Sequence, residues 1–109
     1  MPRDAGLPPG MLALLILRVL QTQPLHGYAI AQRIHHLSEE ELKVEEGSLY
    51  PALQKLLIQG WVKAAWTTSE SGRQVREYTL TPGGRRQLEA AVADYHRTSR
   101  AIALLLENA

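Results

Sequence analysis

The chain has 109 residues, a formal net charge of +1 and 45% hydrophobic residues, which fits one small domain with a modest core. It contains no cysteine, which excludes disulfides and thiolate chemistry and is compatible with a reducing compartment. The strongest apolar run, from Met11 to Leu20, is too short to cross a membrane. These features predict a soluble, cytoplasmic protein that has no membrane partner.

Charge is unevenly distributed along the chain. Five glutamates and one lysine between Glu39 and Glu46 give that stretch a formal charge of −4, which leaves +5 for the rest of the chain. Segregation of this kind predicts that one face of the protein is basic although the whole is nearly neutral. A basic face is compatible with nucleic acid as a partner.

The first part of the sequence predicts an arm followed by two helices. Three prolines and two glycines among the first ten residues predict a flexible arm over residues 1–8. The apolar segment that follows predicts a first helix from about Pro9 to Gln21, buried on more than one side. Because so small a domain covers only one side, the other side is expected to meet a second copy of the chain. Apolar residues at helical spacing predict a second helix from about Gly27 to His36.

A third helix is predicted from Ser48 to Gln59. Ser48 is expected to cap it, Pro51 to lie in its first turn and Gly60 to end it. Its apolar face is predicted to consist of four leucines, Leu49, Leu53, Leu56 and Leu57. The polar side chains of this helix fall off that face and are left for another role.

After Trp61 the pattern changes to a hairpin and a long helix. Residues 62–67 and 75–80 alternate with a period of two around the polar loop 69–73, which predicts two paired strands. Thr81 is expected to cap a final helix that starts at Pro82 and continues to about Leu106. Heptad spacing in this helix predicts a seam made of Leu88, Val92, Tyr95, Ser99, Ile102 and Leu106.

Three helices followed by a hairpin is the order of a winged helix-turn-helix, a mainly α fold with a small β-hairpin. We therefore predict a DNA-binding domain over residues 9–81 and a C-terminal dimerisation helix over residues 82–109. The predicted homodimer interface combines the six seam residues with three residues of the first helix, Leu12, Leu15 and Ile16.

Five segments of the chain resemble the PadR family of transcriptional regulators: LALLILRVL, PLHGYAIAQRI, VEEGSLYPALQKLLIQGWV, SESGRQ and YTLTPGGRRQLE. They run from Leu12 to Glu89, with a looser likeness to about Leu106, and the EGSLYPAL block followed by GW is specific. The single helix after the wing is similar to the short branch of that family, whose members dimerise through the last helix and the first. The resemblance implies a transcriptional regulator, most often a repressor released by a small ligand or a stress signal.

The candidate DNA contacts of the third helix are Ser48, Tyr50, Gln54 and Lys55. A glutamine can pair with adenine through two hydrogen bonds, a lysine can reach guanine or a phosphate, and the amides near Ser48 can receive a phosphate. A solvated helix face is the alternative, and the family resemblance favours the DNA contact. Tyr50 has a further alternative, because a tyrosine beside leucines often packs with only its hydroxyl exposed.

The wing and the second helix supply five further candidates, Arg73, Lys63, Arg76, Tyr28 and Gln32. Arg73, at the wing tip, is predicted to enter a minor groove. For Lys63 and Arg76, pairing across the hairpin with Glu77 or Glu70 is the alternative to a phosphate contact. Tyr28 and Gln32 are predicted phosphate contacts, because the second helix of such domains crosses the DNA backbone.

No metal, cofactor or catalytic group is predicted. His35 and His36 are adjacent, so on a helix they point about 100° apart and cannot hold one ion. Tyr95 and His96 allow two interpretations, an effector pocket at the dimer interface or ordinary packing. Trp61 and Trp66 are interpreted as packing in the core and the wing.

Two other functions remain open at this stage. A winged-helix module could bind a protein partner through the acidic stretch 39–46, or a sensor could bind a small molecule at its dimer interface. A DNA-binding homodimer accounts better for the EGSLYPAL block.

Overall fold

The computed structural model describes residue 7 and residues 10–108. In chain order the elements are α1 (Met11–Leu20), β1 (Leu25–His26), α2 (Gly27–Leu37), α3 (Glu46–Ile58), β2 (Val62–Thr68), β3 (Gln74–Leu80) and α4 (Pro82–Asn108). The predicted fold class, mainly α with a small antiparallel sheet and a long last helix, is confirmed. The predicted arm and the Pro9 start of the first helix lie outside the described residues, apart from residue 7.

The sheet has three strands where the sequence predicted two. β2 and β3 form the expected hairpin, and the short strand β1 joins the other edge of β3, so the order is β1-β3-β2. Leu25 pairs with Tyr78 and His26 with Glu77. Because β1 leads directly into α2, this pairing fastens the root of the hairpin to the helix-turn-helix.

The core lies where α1 packs against α2, α3 and α4. Its fully buried side chains are Ile16, Leu17, Ile30, Leu49, Leu53, Leu56 and Leu88. Two of these, Ile16 and Leu88, are predicted at the dimer interface, but they are 0% and 2% exposed in the single chain. They have no surface left for a partner, so the prediction is wrong for these two residues, which belong to the core.

The ends of α3 differ from the prediction at one side only. The helix begins at Glu46, so Ser48 lies inside it and makes no cap, and Pro51 lies in the second turn rather than the first. A proline there has no amide hydrogen to donate to the Gly47 carbonyl one turn earlier. At the other end the last helical residue is Ile58, and Gly60 terminates the helix as predicted. Gly60 takes a φ of 76° and its amide donates to the Leu57 carbonyl over 3.0 Å.

The start of α4 is fixed by Thr81 and by a close approach of two chain segments. The Thr81 hydroxyl accepts a hydrogen bond from the Gly84 amide at 3.0 Å and donates to the Gly60 carbonyl at 2.7 Å. The predicted cap is therefore present, and it also ties the end of α3 to α4. At Gly84 a Cβ atom would lie 1.9 Å from the Trp61 carbonyl oxygen, so only glycine fits there.

The second half of α4 leaves the domain. Every described residue from Ala93 to Asn108 is exposed, and the molecule is 55 Å long in its longest dimension. A helix of 27 residues spans about 40 Å, so α4 accounts for most of that length. None of the helices in residues 10–108 is long and apolar enough to cross a membrane.

Candidate nucleic-acid interface

A cleft of about 790 Å³ lies between α3 and the β2-β3 hairpin. Five of the nine predicted DNA contacts line it: Tyr28, Tyr50, Gln54, Arg73 and Arg76. They come from α2, α3 and the hairpin, so the fold gathers residues that are up to 48 positions apart in the chain. We call this space the reading cleft.

On α3 the helical period separates packing from polar residues. Leu49, Leu53 and Leu56 are buried as predicted, and Leu57 is half-buried. Gln54 and Lys55 are exposed on the other side of the helix, where they are free to meet a ligand. The first turn differs from the expectation. The Ser48 amide already donates to the Glu45 carbonyl at 3.0 Å, so it is not available for a phosphate.

The position of Tyr50 is compatible with both of the roles that the sequence left open. Its ring lies against the start of α2, where a Cβ atom on Gly27 would be 2.6 Å from the Tyr50 hydroxyl oxygen. The side chain is still 44% exposed and lines the reading cleft. Partial burial and the nearby Glu46 and Tyr78 raise the pKa of Tyr50 above its ordinary value, so the hydroxyl is protonated at neutral pH.

The wing loop is held in shape by its own hydrogen bonds. The Ser69 amide donates to the Arg73 carbonyl at 2.8 Å, and the Arg73 amide donates to the Ser69 hydroxyl at 3.2 Å. Gly72 takes a φ of 86°, which other residues rarely adopt. This loop presents the exposed Arg73 side chain at the tip, beside the reading cleft.

Arg76 contacts aromatic rings rather than the carboxylates considered for it. Its guanidinium carbon lies 5.9 Å from the centre of the Trp66 ring and 5.8 Å from the centre of the Tyr78 ring. Trp66 faces Arg76 across the hairpin and is 68% exposed, so the interpretation of Trp66 as a packed wing residue is wrong. Trp61, in contrast, is half-buried and packs against the core.

The other four predicted DNA contacts do not line the reading cleft: Ser48 and Lys55 of α3, together with Lys63 and Gln32. Lys63 is exposed on β2 opposite Thr79, and Gln32 is exposed on α2. Neither lines the cleft. A contact from either would have to be made to DNA that extends beyond it.

Glu46 is a cleft residue that the sequence analysis did not select. As the first residue of α3 it is exposed and lines the reading cleft together with Arg73 and Arg76. The predicted separation of the acidic stretch from the basic face is therefore incomplete. A signal existed in the sequence, because Glu46 is four residues before Tyr50, which is the spacing of helical neighbours.

A second cleft, of about 620 Å³, lies between α1 and α4 and is lined by Met11, Leu14 and Tyr95 among others. The Tyr95 and His96 rings meet edge to face with their centres 5.5 Å apart, but His96 does not line this cleft. Residues 10–108 hold no group of three or more histidine or acidic side chains that could bind a metal ion.

Comparison with protein families identifies the class of this protein. Residues 16–90 match the family of PadR-like transcriptional regulators, a segment that contains α3, the hairpin and the whole reading cleft. The chain belongs to the PadR-like family. The resemblance seen in the five sequence segments is thereby confirmed, and this PadR-like regulator is assigned to DNA-binding transcriptional regulation.

Solved structures of other regulators are similar to this PadR-like regulator over most of its length. A PadR family regulator from Eggerthella lenta is 29% identical with a TM-score of 0.77, and the match covers 92% of this chain and 85% of that one. A transcriptional regulator from Clostridium thermocellum has a TM-score of 0.79 at 24% identity, with coverage of 86% and 91%. A PadR family regulator from Clostridium difficile has a TM-score of 0.78 at 24% identity, with coverage of 89% and 99%. At 24% identity the likeness concerns the fold alone.

Two curated proteins are similar in sequence to this PadR-like regulator. An uncharacterized 37.1 kDa protein in a Streptomyces fradiae transposon is 41% identical over 86 residues, which are 79% of this chain and 23% of that protein. An uncharacterized protein X from Lysinibacillus sphaericus is 26% identical over 98 residues, 90% of each chain. This chain therefore spans less than a quarter of the first relative and most of the second.

Proposed function

We propose that this PadR-like regulator is a homodimeric repressor that binds an inverted-repeat operator with one reading cleft on each half-site. The observation that carries the proposal is the gathering of five predicted DNA contacts from three elements in that cleft. In this arrangement α3 enters the major groove and the wing tip reaches the neighbouring minor groove. Bound across a promoter, such a dimer would block transcription.

Base recognition is assigned to the exposed side of α3. Gln54 is suited to adenine, because its amide can donate to one ring position and accept from another, and Lys55 is suited to guanine or to a phosphate. The half-buried Ser48 and the partly packed Tyr50 can reach DNA only with their hydroxyl groups, so they are given supporting contacts. These four residues lie within two turns of one helix.

Positioning on the DNA backbone is assigned to the wing and to α2. Arg73 and Arg76 approach from the hairpin, Tyr28 from the start of α2, and all three line the reading cleft. Lys63 and Gln32 are assigned to flanking phosphates. Contacts of this kind hold the protein in register without reading sequence, and they make binding depend on salt.

Dimerisation is assigned to α4 together with α1. Tyr95, Ile102 and Leu106 of the predicted seam are large, exposed side chains, and residues 93–108 project from the domain. A helix with an exposed apolar stripe is stabilised when a second helix covers it. Leu12, Leu15, Val92 and Ser99, which are half-buried or exposed, complete the proposed interface.

Release by a small ligand is assigned to the cleft between α1 and α4. Tyr95 lines it, whereas the His96 ring lies beside Tyr95 without lining it, so Tyr95 is the stronger candidate for an effector contact. Because this cleft adjoins the proposed dimer interface, an occupant there could change the distance between two reading clefts. The regulator is assigned to the cytoplasm, where its DNA would be, and no catalytic activity or cofactor is proposed.

Footprinting on the DNA upstream of the protein's own gene tests the proposal. We expect two protected half-sites related by two-fold symmetry, with centres about 10 base pairs or one further helical turn apart. Binding should fall steeply as salt is raised. Protection of a single half-site would contradict the dimer, and a protein that shifts no DNA at low salt would point to the protein-binding alternative.

A further inference from the structure

Trp66 is a large apolar side chain in a place where there is no core to cover. It lies near the outer end of β2, is 68% exposed, and lines the reading cleft with Gln54 and Arg73. Nearer the hairpin root, Val62 on the same side of the strand is buried. The exposure of Trp66 is therefore a local feature of the part of the wing that extends beyond the core.

The contact that Trp66 makes is with Arg76. The two residues face each other across the hairpin, and the guanidinium carbon lies 5.9 Å from the centre of the indole ring. The same carbon lies 5.8 Å from the centre of the Tyr78 ring, and Tyr78 is only 4% exposed. The guanidinium is thus near two rings, the exposed indole of Trp66 and the buried phenol ring of Tyr78.

This arrangement is suited to binding an anion through the guanidinium of Arg76. Stacking on an aromatic ring uses the face of the guanidinium and leaves its N–H groups free at the edge. A free arginine side chain loses conformational freedom when it binds, and one that is already held loses less. We therefore expect the N–H groups of Arg76 to be available to an anion, and its side chain to lose less conformational freedom on binding than an arginine with no ring beside it.

We propose that Trp66 is a positioning residue that holds Arg76 ready to bind a phosphate of the DNA backbone in the reading cleft. The inference rests on the proposed function, since it needs DNA in that cleft. Because every nucleotide carries a phosphate, the effect of Trp66 would be the same for all DNA sequences. Trp66 would thus increase affinity without changing which operator is chosen.

A double-mutant cycle with a fluorescein-labelled duplex of mixed sequence tests this inference. Trp66→Ala should weaken binding about 2- to 5-fold, which is the range that a cation–π contact at an exposed site accounts for. The same change in an Arg76→Ala background should have no effect, because Trp66 acts through Arg76. Trp66→Phe should restore most of the affinity, because the phenyl ring can still stack.

Salt titration separates positioning from simple surface contact. Arg76→Ala should lower the slope of log affinity against log salt by about 0.9, the value for one phosphate contact, and Trp66→Ala should lower it in the same direction. Circular dichroism of each variant checks the fold, and substitution of the exposed Trp66 should leave the spectrum unchanged. Trp61→Phe, with Trp66 as the remaining indole, should show fluorescence of Trp66 that changes when the duplex is added.

Three outcomes would contradict three different claims: that Trp66 acts through Arg76, that Trp66 contributes to DNA binding, and that the protein binds DNA. An equal loss for Trp66→Ala in both backgrounds would mean that the indole contacts DNA by itself, and this would contradict positioning. No loss at all would make Trp66 a mere surface residue. If the wild-type protein shows no salt-dependent binding to the duplex, the proposed function fails, rather than this inference alone.

Discussion

The ring of Tyr50 lies directly against the backbone of Gly27, so closely that a Cβ atom on Gly27 would be 2.6 Å from the tyrosine hydroxyl oxygen. This contact joins the middle of the EGSLYPAL block to the start of α2. It places the phenol partly out of water and beside Glu46, and both effects raise the pKa of Tyr50 above 10.0, burial being the larger.

The raised pKa of Tyr50 predicts how stability depends on alkaline pH. Between the ordinary pKa of the unfolded chain and the higher pKa of the folded protein, the folded state binds more protons, so the free energy of unfolding falls as pH rises through that window. Below about pH 10 the effect is fully favourable and constant. When pH is raised from about 8 to about 11, the free energy of unfolding measured in urea should therefore fall less for Tyr50→Phe than for the wild type.

Tyr95→Phe is the matched control for this measurement, since Tyr95 is also 44% exposed but lies on α4 away from Gly27. Glu46→Gln should lower the pKa of Tyr50, because it removes a charge that raises it. In a pH titration, the tyrosinate absorbance of Tyr50 should then appear at lower pH. Identical alkaline stability curves for the wild type and Tyr50→Phe would show that titration of the Tyr50 hydroxyl is not linked to folding.

The two glycines at the start of α4 should respond in opposite ways to alanine. Gly84→Ala should destabilise the protein by about 1–3 kcal/mol, because its Cβ would lie 1.9 Å from the Trp61 carbonyl oxygen and the backbone must move. At Gly83 the nearest atoms are 3.8 Å away, so Gly83→Ala should be neutral or stabilise by up to about 1 kcal/mol. Urea denaturation followed by circular dichroism gives both values, and equal effects would refute the close packing at Gly84.

Gln54 and Lys55 should affect DNA binding without affecting folding, because both are exposed. Gln54→Ala should weaken operator binding by about 1–3 kcal/mol and relax the preference at one base pair. Lys55→Ala should weaken it too, with a lower salt slope if its partner is a phosphate. Fluorescence anisotropy on the footprinted operator measures both changes.

Gln59→Ala is the control for Gln54→Ala, because Gln59, the residue that directly follows α3, is exposed but does not line the reading cleft. Full operator affinity in both Gln54→Ala and Lys55→Ala would eliminate this side of α3 as the DNA-binding surface.

The proposed seam on α4 can be tested with two substitutions that differ by two residues. Ile102 and Leu104 are 51% and 55% exposed, and on a helix they point about 200° apart. Ile102→Arg should weaken the dimer by about 3 kcal/mol or more, which is over about a hundredfold in dissociation constant, because it places an unpaired charge in the seam. Leu104→Arg should leave the dimer intact. Sedimentation velocity distinguishes the two, and equal behaviour would place the interface elsewhere.

The boundaries that the sequence predicted correctly depend on local chemistry. Gly60 ends α3, Thr81 caps α4, and the loop 69–73 joins the strands, in each case because a few neighbouring residues determine the backbone conformation. The reading cleft was predictable in part for a similar reason. Helical spacing separated Gln54 from the leucines that pack.

The errors arose where distant parts of the chain decide the structure. β1 has two residues and no period to detect, and it exists because β3 offers it a free edge. The pattern of β2 placed Trp66 correctly on the side of Val62, but it could not show that the hairpin extends beyond the core before Trp66 is reached. Ile16 and Leu88 were predicted at the dimer interface because an apolar pattern does not distinguish burial within the chain from burial against a second chain.

The pairing of β1 with β3 has a mechanical consequence. His26 is held to Glu77 of the wing and is followed at once by Gly27, the first residue of α2, so the hairpin cannot tilt without turning the helix that it adjoins. In the proposed dimer, each copy should therefore bind DNA as one rigid unit, with a reading cleft of fixed width. Tolerance for different half-site separations would then have to come from bending or sliding of the projecting part of α4.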